Sequence, residues 1–254
     1  MNEPTTTMTN GKYSCILLTS DREYLSSAAE TFARKLFDVK HVSRYPRDAR
    51  HLAADVTDLT RGGEIDFLFN YLSPVIVPER ILQSIKRAAI NFHPAPPEWP
   101  GIGSASYALY EGDETFGVTA HVMTAKVDSG AIVRSMRFPI VPDDDCESLF
   151  QRALHFSLFL FYDVLSNAAQ AGEARPSGDA WKRSAIRRAE FEKWMRVSTS
   201  DTADEVRRKV RALRHSTLPG PYVEVAGMKF HLPAGAPLPR AVAKAAQAQA
   251  KAAA

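Results

Sequence analysis

Cysteine is scarce in this sequence: two residues in 254, Cys15 and Cys146, far apart and outside any metal-ligand spacing. That excludes a disulfide framework and a cysteine-based zinc site, and it fits a reducing compartment. An excess of one charge is also missing. The 32 Lys and Arg against 29 Asp and Glu leave +3 at neutral pH, so no global field argues for nucleic acid or a membrane surface, and any basic site must be local. No apolar run is long enough to span a bilayer, and the polar start MNEPTTTMTNGK has no apolar signal core. The expected location is the cytoplasm. Glycine is absent from the first strand-to-helix loop, TSDREYLS, which removes the dinucleotide fingerprint and disfavours NAD. No metal is expected: the acidic run at 143–145 stands without a second ligand cluster and reads as a helix start, with Asp144 and Glu147 at capping-box spacing.

What remains is an ordinary globular composition, 45% apolar and 24% charged. Strand patterns at 13–20, 41–45, 65–72 and 87–93 alternate with helical patterns at 24–37 and 77–86, which argues for a parallel α/β sheet covered on both faces. A helix with Ser104 as N-cap and Gly112 as its stop follows, then two strands at 117–123 and 131–140 and a long helix at 148–170. That helix is apolar nearly all round and should be buried. Residues 171–184 read as a linker by composition. A second capped helix begins at Thr202, with Glu205 completing its box, and a hairpin turns at Ala226-Gly227. The expected organisation is a disordered 1–12, a main domain over 13–180, a small helix-hairpin module over 181–233 and a low-complexity tail over 234–254.

The chemistry gathers at INFHPAPPEWPG, residues 90–101. Its prolines prevent a helix or a central strand, so the chain leaves the sheet here as a rigid loop. Asn91 and His93 are two apart in a strand and share a face, at the carboxyl edge where open α/β sheets do their work. An amide N–H can stabilise the oxyanion of acyl transfer, and an imidazole can move a proton near neutral pH. Asp128, in the loop of KVDSGAIV, is the third group. Singly, each has a simpler reading as a cap or a turn residue; together they form a candidate site. Trp99, Tyr107 and the entrance Gly101 to Ser104, Gly103 included, are candidate substrate contacts, since an aromatic stacks on a sugar or base and a helix N-terminus suits a phosphate. A packed Tyr107 and a plain turn remain the equal alternative.

The stretch NFHPAPPEWPGIGSASYALYEGDETFGVTAHVMTAKVDSGAIV resembles formyltransferases that use 10-formyltetrahydrofolate: Asn-x-His-Pro, a proline-rich loop, a helix ending in Gly, Gly-Val-Thr-x-His, then Asp-x-Gly. The resemblance implies a Rossmann-like, mostly parallel sheet and a catalytic set of Asn91, His93 and Asp128. It implies a folate held largely by backbone groups around Ser73, Val75, Ile76 and Val77 and around Thr124 and Lys126, with no metal. His121 matches a family position and reads as a packed, hydrogen-bonded histidine. Length and loop resemble the sugar N-formyltransferase branch, closest to enzymes acting on GDP-perosamine in O-antigen and lipopolysaccharide biosynthesis, and that branch implies a homodimer. Methionyl-tRNA formyltransferase is the alternative. A nucleic-acid-binding module on an inactive enzyme fold is a further one, motivated by Arg207, Arg208, Lys209, Arg211 and Arg214.

Overall fold

The computed structural model describes residues 11–235. Most of the two terminal segments expected to be disordered, residues 1–10 and 236–254, lies outside the described residues. One six-stranded sheet organises the chain: β1 (Ser14–Ser20), β2 (Asp38–Tyr45), β3 (Phe67–Tyr71), β4 (Ala88–His93), β5 (Thr115–Val122) and β6 (Ile132–Pro139), in the spatial order β2-β1-β3-β4-β5-β6. The first four strands pair in parallel; β4–β5 and β5–β6 are antiparallel. Helices α1 (Glu23–Leu36), α2 (Ala54–Thr60) and α3 (Glu79–Ser84) make the parallel crossovers. Helix α2 was not anticipated, being only seven residues long.

The pleat of these strands divides the core. Phe67, Phe69, Tyr71, Ile90 and Phe92 join one buried cluster with Ala29 and Ala33 of α1 and with Leu154, Phe161 and Leu165 of α5 (Cys146–Ala171). Leu68 and Ala89 face the other way, against Val56 of α2 and Ile81 of α3. Each fully buried Phe or Leu side chain contributes about 1.5–3 kcal/mol, so a two-faced apolar sheet is the dominant source of stability. Asn70 on β3 and Asn91 and His93 on β4 are the polar exceptions on these two strands, and all three sit near the carboxyl ends.

Several details depart from the sequence expectations. Helix α5 is not buried all round: Gln151, His155 and Phe159, four apart, form an exposed stripe. Its capping box uses Asp145 and Ser148, because Asp144 is taken up by the Val141 N–H and the Arg152 guanidinium, and Glu147 accepts from the Ser216 N–H and hydroxyl. Helix α4 (Ser104–Glu111) is entered through Gly103 at φ +78°, so Ser104 is its first helical residue and not its N-cap. Gly112 ends it in the left-handed region as expected.

The largest difference concerns residues 173–187. They do not form a free linker but a strap across the carboxyl edge of the sheet. Ser177 N–H donates to Ile132 O, Lys182 N–H to Pro97 O and Ile186 N–H to Pro100 O, while Ile102 N–H donates back to Ile186 O. The boundary expected at 180/181 falls inside this strap. Beyond it come α6 (Arg188–Trp194), α7 (Ala203–Ala212) with its Thr202–Glu205 box, and the hairpin β7 (Tyr222–Val225) and β8 (Met228–His231). Part of the basic face of α7 docks the helix. Arg208 donates to Tyr110 O, Lys209 to Arg196 O and Arg211 to Asp144 O and Pro142 O, while Arg207 pairs with Asp204 and Arg214 with Asp145. Each of the five basic side chains that motivated the nucleic-acid-binding alternative has a partner within the chain. No helix among the described residues is long and apolar enough to cross a membrane.

Candidate active site

Strand register builds the site. Asn70 on β3 lies opposite Asn91 on β4, and Asn91 lies opposite His121 on β5, so three polar side chains form a row across one face. His93 ends β4, where Pro94 removes the next backbone donor. Asp128 arrives from the loop between β5 and β6 and joins the set. Its Oδ1 is 3.2 Å from His121 Nε2 and 3.5 Å from Asn91 Nδ2; its Oδ2 is 3.3 Å from His93 Nδ1 and accepts the Gly101 N–H at 2.8 Å. The three residues separated by up to 37 positions in sequence therefore do converge.

Asp128 is 6% exposed and its backbone is left-handed, φ +43°, a conformation that Asp and Asn adopt more readily than other side chains. Gly130 completes the turn, since a Cβ there would overlap the Val122 carbonyl. Burial alone would raise the Asp128 carboxyl; the imidazoles of His93 and His121 and the Gly101 N–H outweigh it and hold the group far below the usual carboxylate range. Each ring nitrogen of His93 faces an acceptor, Asp128 Oδ2 on one side and the Trp99 carbonyl at 3.1 Å on the other. The doubly protonated ring fills both contacts, and either neutral tautomer leaves one open.

A cleft of ≈ 610 Å³, open solvent at its mouth included, runs alongside. Ser73, Val75, Ile76, Val77, Thr124 and Lys126 all line it, as do Asn70, Asn91, His121 and Asp128. Among the described residues, no backbone–backbone hydrogen bond uses Ser73 to Val77 or Thr124 to Val127. Two loop strips that stand outside any backbone ladder, with the apolar side chains of Val75, Val77, Leu82 and Met123 between them, suit a flat, polar-edged heterocycle. Within them, the Ser73 hydroxyl accepts the Val75 N–H and the Thr124 hydroxyl the Lys126 N–H, while the Thr124 and Ser129 hydroxyls donate to the Lys126 carbonyl. His93 is absent from the cleft wall, whereas His121 forms part of it. Sequence reasoning read His121 as packed; it is buried and hydrogen-bonded, and it also contacts Asp128. Its position opposite Asn91 follows from strand pairing, which the sequence alone does not give.

The proposed substrate contacts fare differently. Trp99 donates from Nε1 to Asp113 at 2.6 Å, stacks on Tyr107 at 5.6 Å and carries the Arg183 guanidinium on its ring. Tyr107 packs on Trp194 at 4.4 Å, and burial, then Glu190, pushes its phenol up to about 12. Both rings have packing partners, which for Tyr107 is the packed alternative. Ser104 is buried, and a Cβ at Gly103 would overlap the Phe191 ring. The helix entrance is covered by α6 and the strap. Trp181 of the strap, missed because its segment read as a linker, donates to Gly130 O at 2.8 Å and sets its ring edge to His93 at 6.0 Å and His121 at 5.1 Å. Among the described residues, no group of three or more His, Cys, Asp or Glu is arranged to hold a metal ion.

Residues 12–165 match the model of the formyl transferase family. The chain belongs to that family. The methionyl-tRNA formyltransferase of Ehrlichia canis is 27% identical over 169 residues, 66% of this chain and 54% of that protein; the chain spans about half the length of the curated relatives it matches. A sugar N-formyltransferase from Shewanella sp. FDAARGOS_354 superposes with a TM-score of 0.70 at 18% identity, covering 89% of this chain and 99% of that one. HypX from Aquifex aeolicus in complex with tetrahydrofolic acid gives 0.59 at 18% identity over 84% of this chain and 36% of that one. These structural likenesses place this formyl transferase family member in a shared fold.

Proposed function

We propose that the protein is an N-formyltransferase that moves a formyl group from 10-formyltetrahydrofolate to the amino group of a nucleotide-linked amino sugar. GDP-perosamine, in O-antigen biosynthesis, is the acceptor that the sequence resemblance favours. The convergence of Asn91, His93, His121 and Asp128 beside a cleft bordered by two loops outside the backbone ladder carries the reading. The cleft residues Ser73 to Val77 and Thr124 to Lys126 hold the folate, backbone to heterocycle. The acceptor nitrogen bonds to the formyl carbon and the formyl oxygen becomes an oxyanion. Asn91 Nδ2 donates to that oxyanion, and the imidazolium of His93 adds positive charge behind it. The oxyanion re-forms the carbonyl as the bond from the formyl carbon to the folate nitrogen breaks. The His93 imidazolium gives its proton to that leaving nitrogen, and the proton lost by the attacking nitrogen restores it. Asp128 stays ionised. A carboxylate held so low accepts protons poorly, and its part is to orient two rings and one amide.

The near-complete coverage of the Shewanella sugar enzyme supports the sugar reading. Methionyl-tRNA formyltransferase is the second reading, favoured by the names of the curated relatives. The homodimer belongs to the same proposal, with the hairpin β7–β8 as its surface. Mass spectrometry of the protein with 10-formyltetrahydrofolate and a panel of GDP-perosamine, dTDP-linked amino sugars and methionyl-tRNA tests it. A formyl mass gain on GDP-perosamine, lost in His93→Ala, is the expected result. A gain only on methionyl-tRNA overturns the acceptor, and no gain on any acceptor overturns the activity.

A further inference from the structure

Asn70 is a polar residue where the fold calls for an apolar one. It lies on the central strand β3, is 6% exposed and is flanked by the fully buried Phe69 and Tyr71. Its Nδ2 donates to Asn91 Oδ1 at 3.0 Å, while its own Oδ1 is buried with no hydrogen-bond partner among the described residues. A buried carbonyl without a partner is a stability penalty that folded proteins seldom keep without a reason.

The reason lies in the next residue of the row. Asn91 has two ends, and only the Nδ2 end can stabilise an oxyanion. Asn91 Nδ2 points to His121 Nε2 at 3.1 Å and to Asp128 Oδ1 at 3.5 Å, and Asn91 Oδ1 points back to Asn70. We infer that Asn70 is a positioning residue that fixes which end of the Asn91 amide faces the reacting carbon. The Asp128 carboxylate repels the amide oxygen, and the Asn70 N–H attracts it, so both neighbours select one orientation. The unpaired Asn70 Oδ1 is the consequence of turning its N–H towards Asn91. The inference rests on the proposed formyl transfer for its catalytic readout but not for its structural one.

Three variants separate positioning from packing. Asn70→Thr keeps an O–H to offer Asn91, Asn70→Val offers nothing, and Asn70→Asp offers an acceptor that pulls the Asn91 amide round the wrong way. The expected order of kcat is wild type, Thr, Val, Asp, with a loss of about 10-fold for Val and of about 10²–10³-fold for Asp, the range for removal of an oxyanion donor. KM for both substrates is expected within about threefold of wild type, and Asn70→Val keeps the wild-type melting temperature or exceeds it. An Asp variant as active as the Val variant, or losses of kcat that track losses of melting temperature, would overturn the inference. The side-chain amide protons of Asn91, identified by their loss in Asn91→Ala, give a readout without substrate. Their hydrogen exchange is expected to accelerate in Asn70→Val, and unchanged exchange in all three variants overturns the inference as well. Wild-type protein that transfers no formyl group removes the proposed function and leaves this exchange measurement to decide the role of Asn70.

Discussion

Asp128 holds four atoms in place with one carboxylate, Asn91 Nδ2, His93 Nδ1, His121 Nε2 and Gly101 N, and its replacement by Asn is unusually clean because Asn tolerates the same left-handed backbone. Asp128→Asn is expected to lower kcat by about 10²–10⁴-fold, the span associated with losing an acid–base assembly, while circular dichroism stays native. The same group makes a pH prediction. Its folded-state pKa is depressed, so its stabilisation is fully present above the unfolded carboxylate value of about 4 and is lost as pH falls towards the much lower folded value. Urea denaturation should therefore show a gap between wild type and Asp128→Asn that is constant from pH 5 to 7 and narrows below about pH 4. A gap that widens on acidification would contradict the ionised anchor. Cys15 makes the complementary case of an inert group. Burial pushes its thiol up to about 12, so alkylating reagents should leave it untouched in the folded protein.

At the scale of elements, the strand–helix alternation, the proline exit after β4 and the hairpin turn were legible because each depends on local chemistry. Pro94 stops a ladder wherever it occurs, and Ala226-Gly227 turns the hairpin with both residues at positive φ. The strap was not legible. Its composition is that of a linker, and its order comes from partners up to 86 positions away, such as Ile186 paired with Pro100 and Ile102. The same non-locality hides the packing of Trp99 and Tyr107, whose ring faces meet Arg183 of the strap and Trp194 of α6. The capping box of α5 slipped by one residue because three consecutive aspartates offer equivalent oxygens, and the Val141 N–H and Arg152 together take Asp144 out of the choice. Two predictions follow from the corrected placement. Trp99→Ala should destabilise the fold by about 3–5 kcal/mol, as expected for a buried aromatic, with acceptor KM little changed in the protein that remains folded; a selective rise in KM would restore the sugar-contact role. Trp181→Ala should open the imidazoles to water. The ratio of free formate to formylated product should then rise several-fold over wild type, and an unchanged ratio would reduce Trp181 to a packing residue.

The last element among the described residues is a hairpin whose two faces differ sharply. Cross-strand register sets Val223 opposite Phe230 and Val225 opposite Met228, and in an antiparallel pair these four share one face. All four are exposed, from 41% for Val223 to 59% for Val225, while Glu224 and Lys229 occupy the other face. An apolar face this continuous on so small a sheet is not needed for its own folding and is a surface awaiting a cover. A second copy can supply one, because a face of four apolar residues from one hairpin is self-complementary about a two-fold axis. It also lies on a module that docks through α7 without contributing to the Asn91, His93 and Asp128 set. Assembly and chemistry should therefore separate. Phe230→Glu is expected to convert a dimer to a monomer in light scattering while kcat stays within about twofold, since the buried charge opposes only the interface. A wild-type protein that scatters as a monomer at every concentration would assign the face to another partner. A Phe230→Glu monomer with abolished activity would mean that the second copy completes the site, and the acceptor would then have to be sought at the interface.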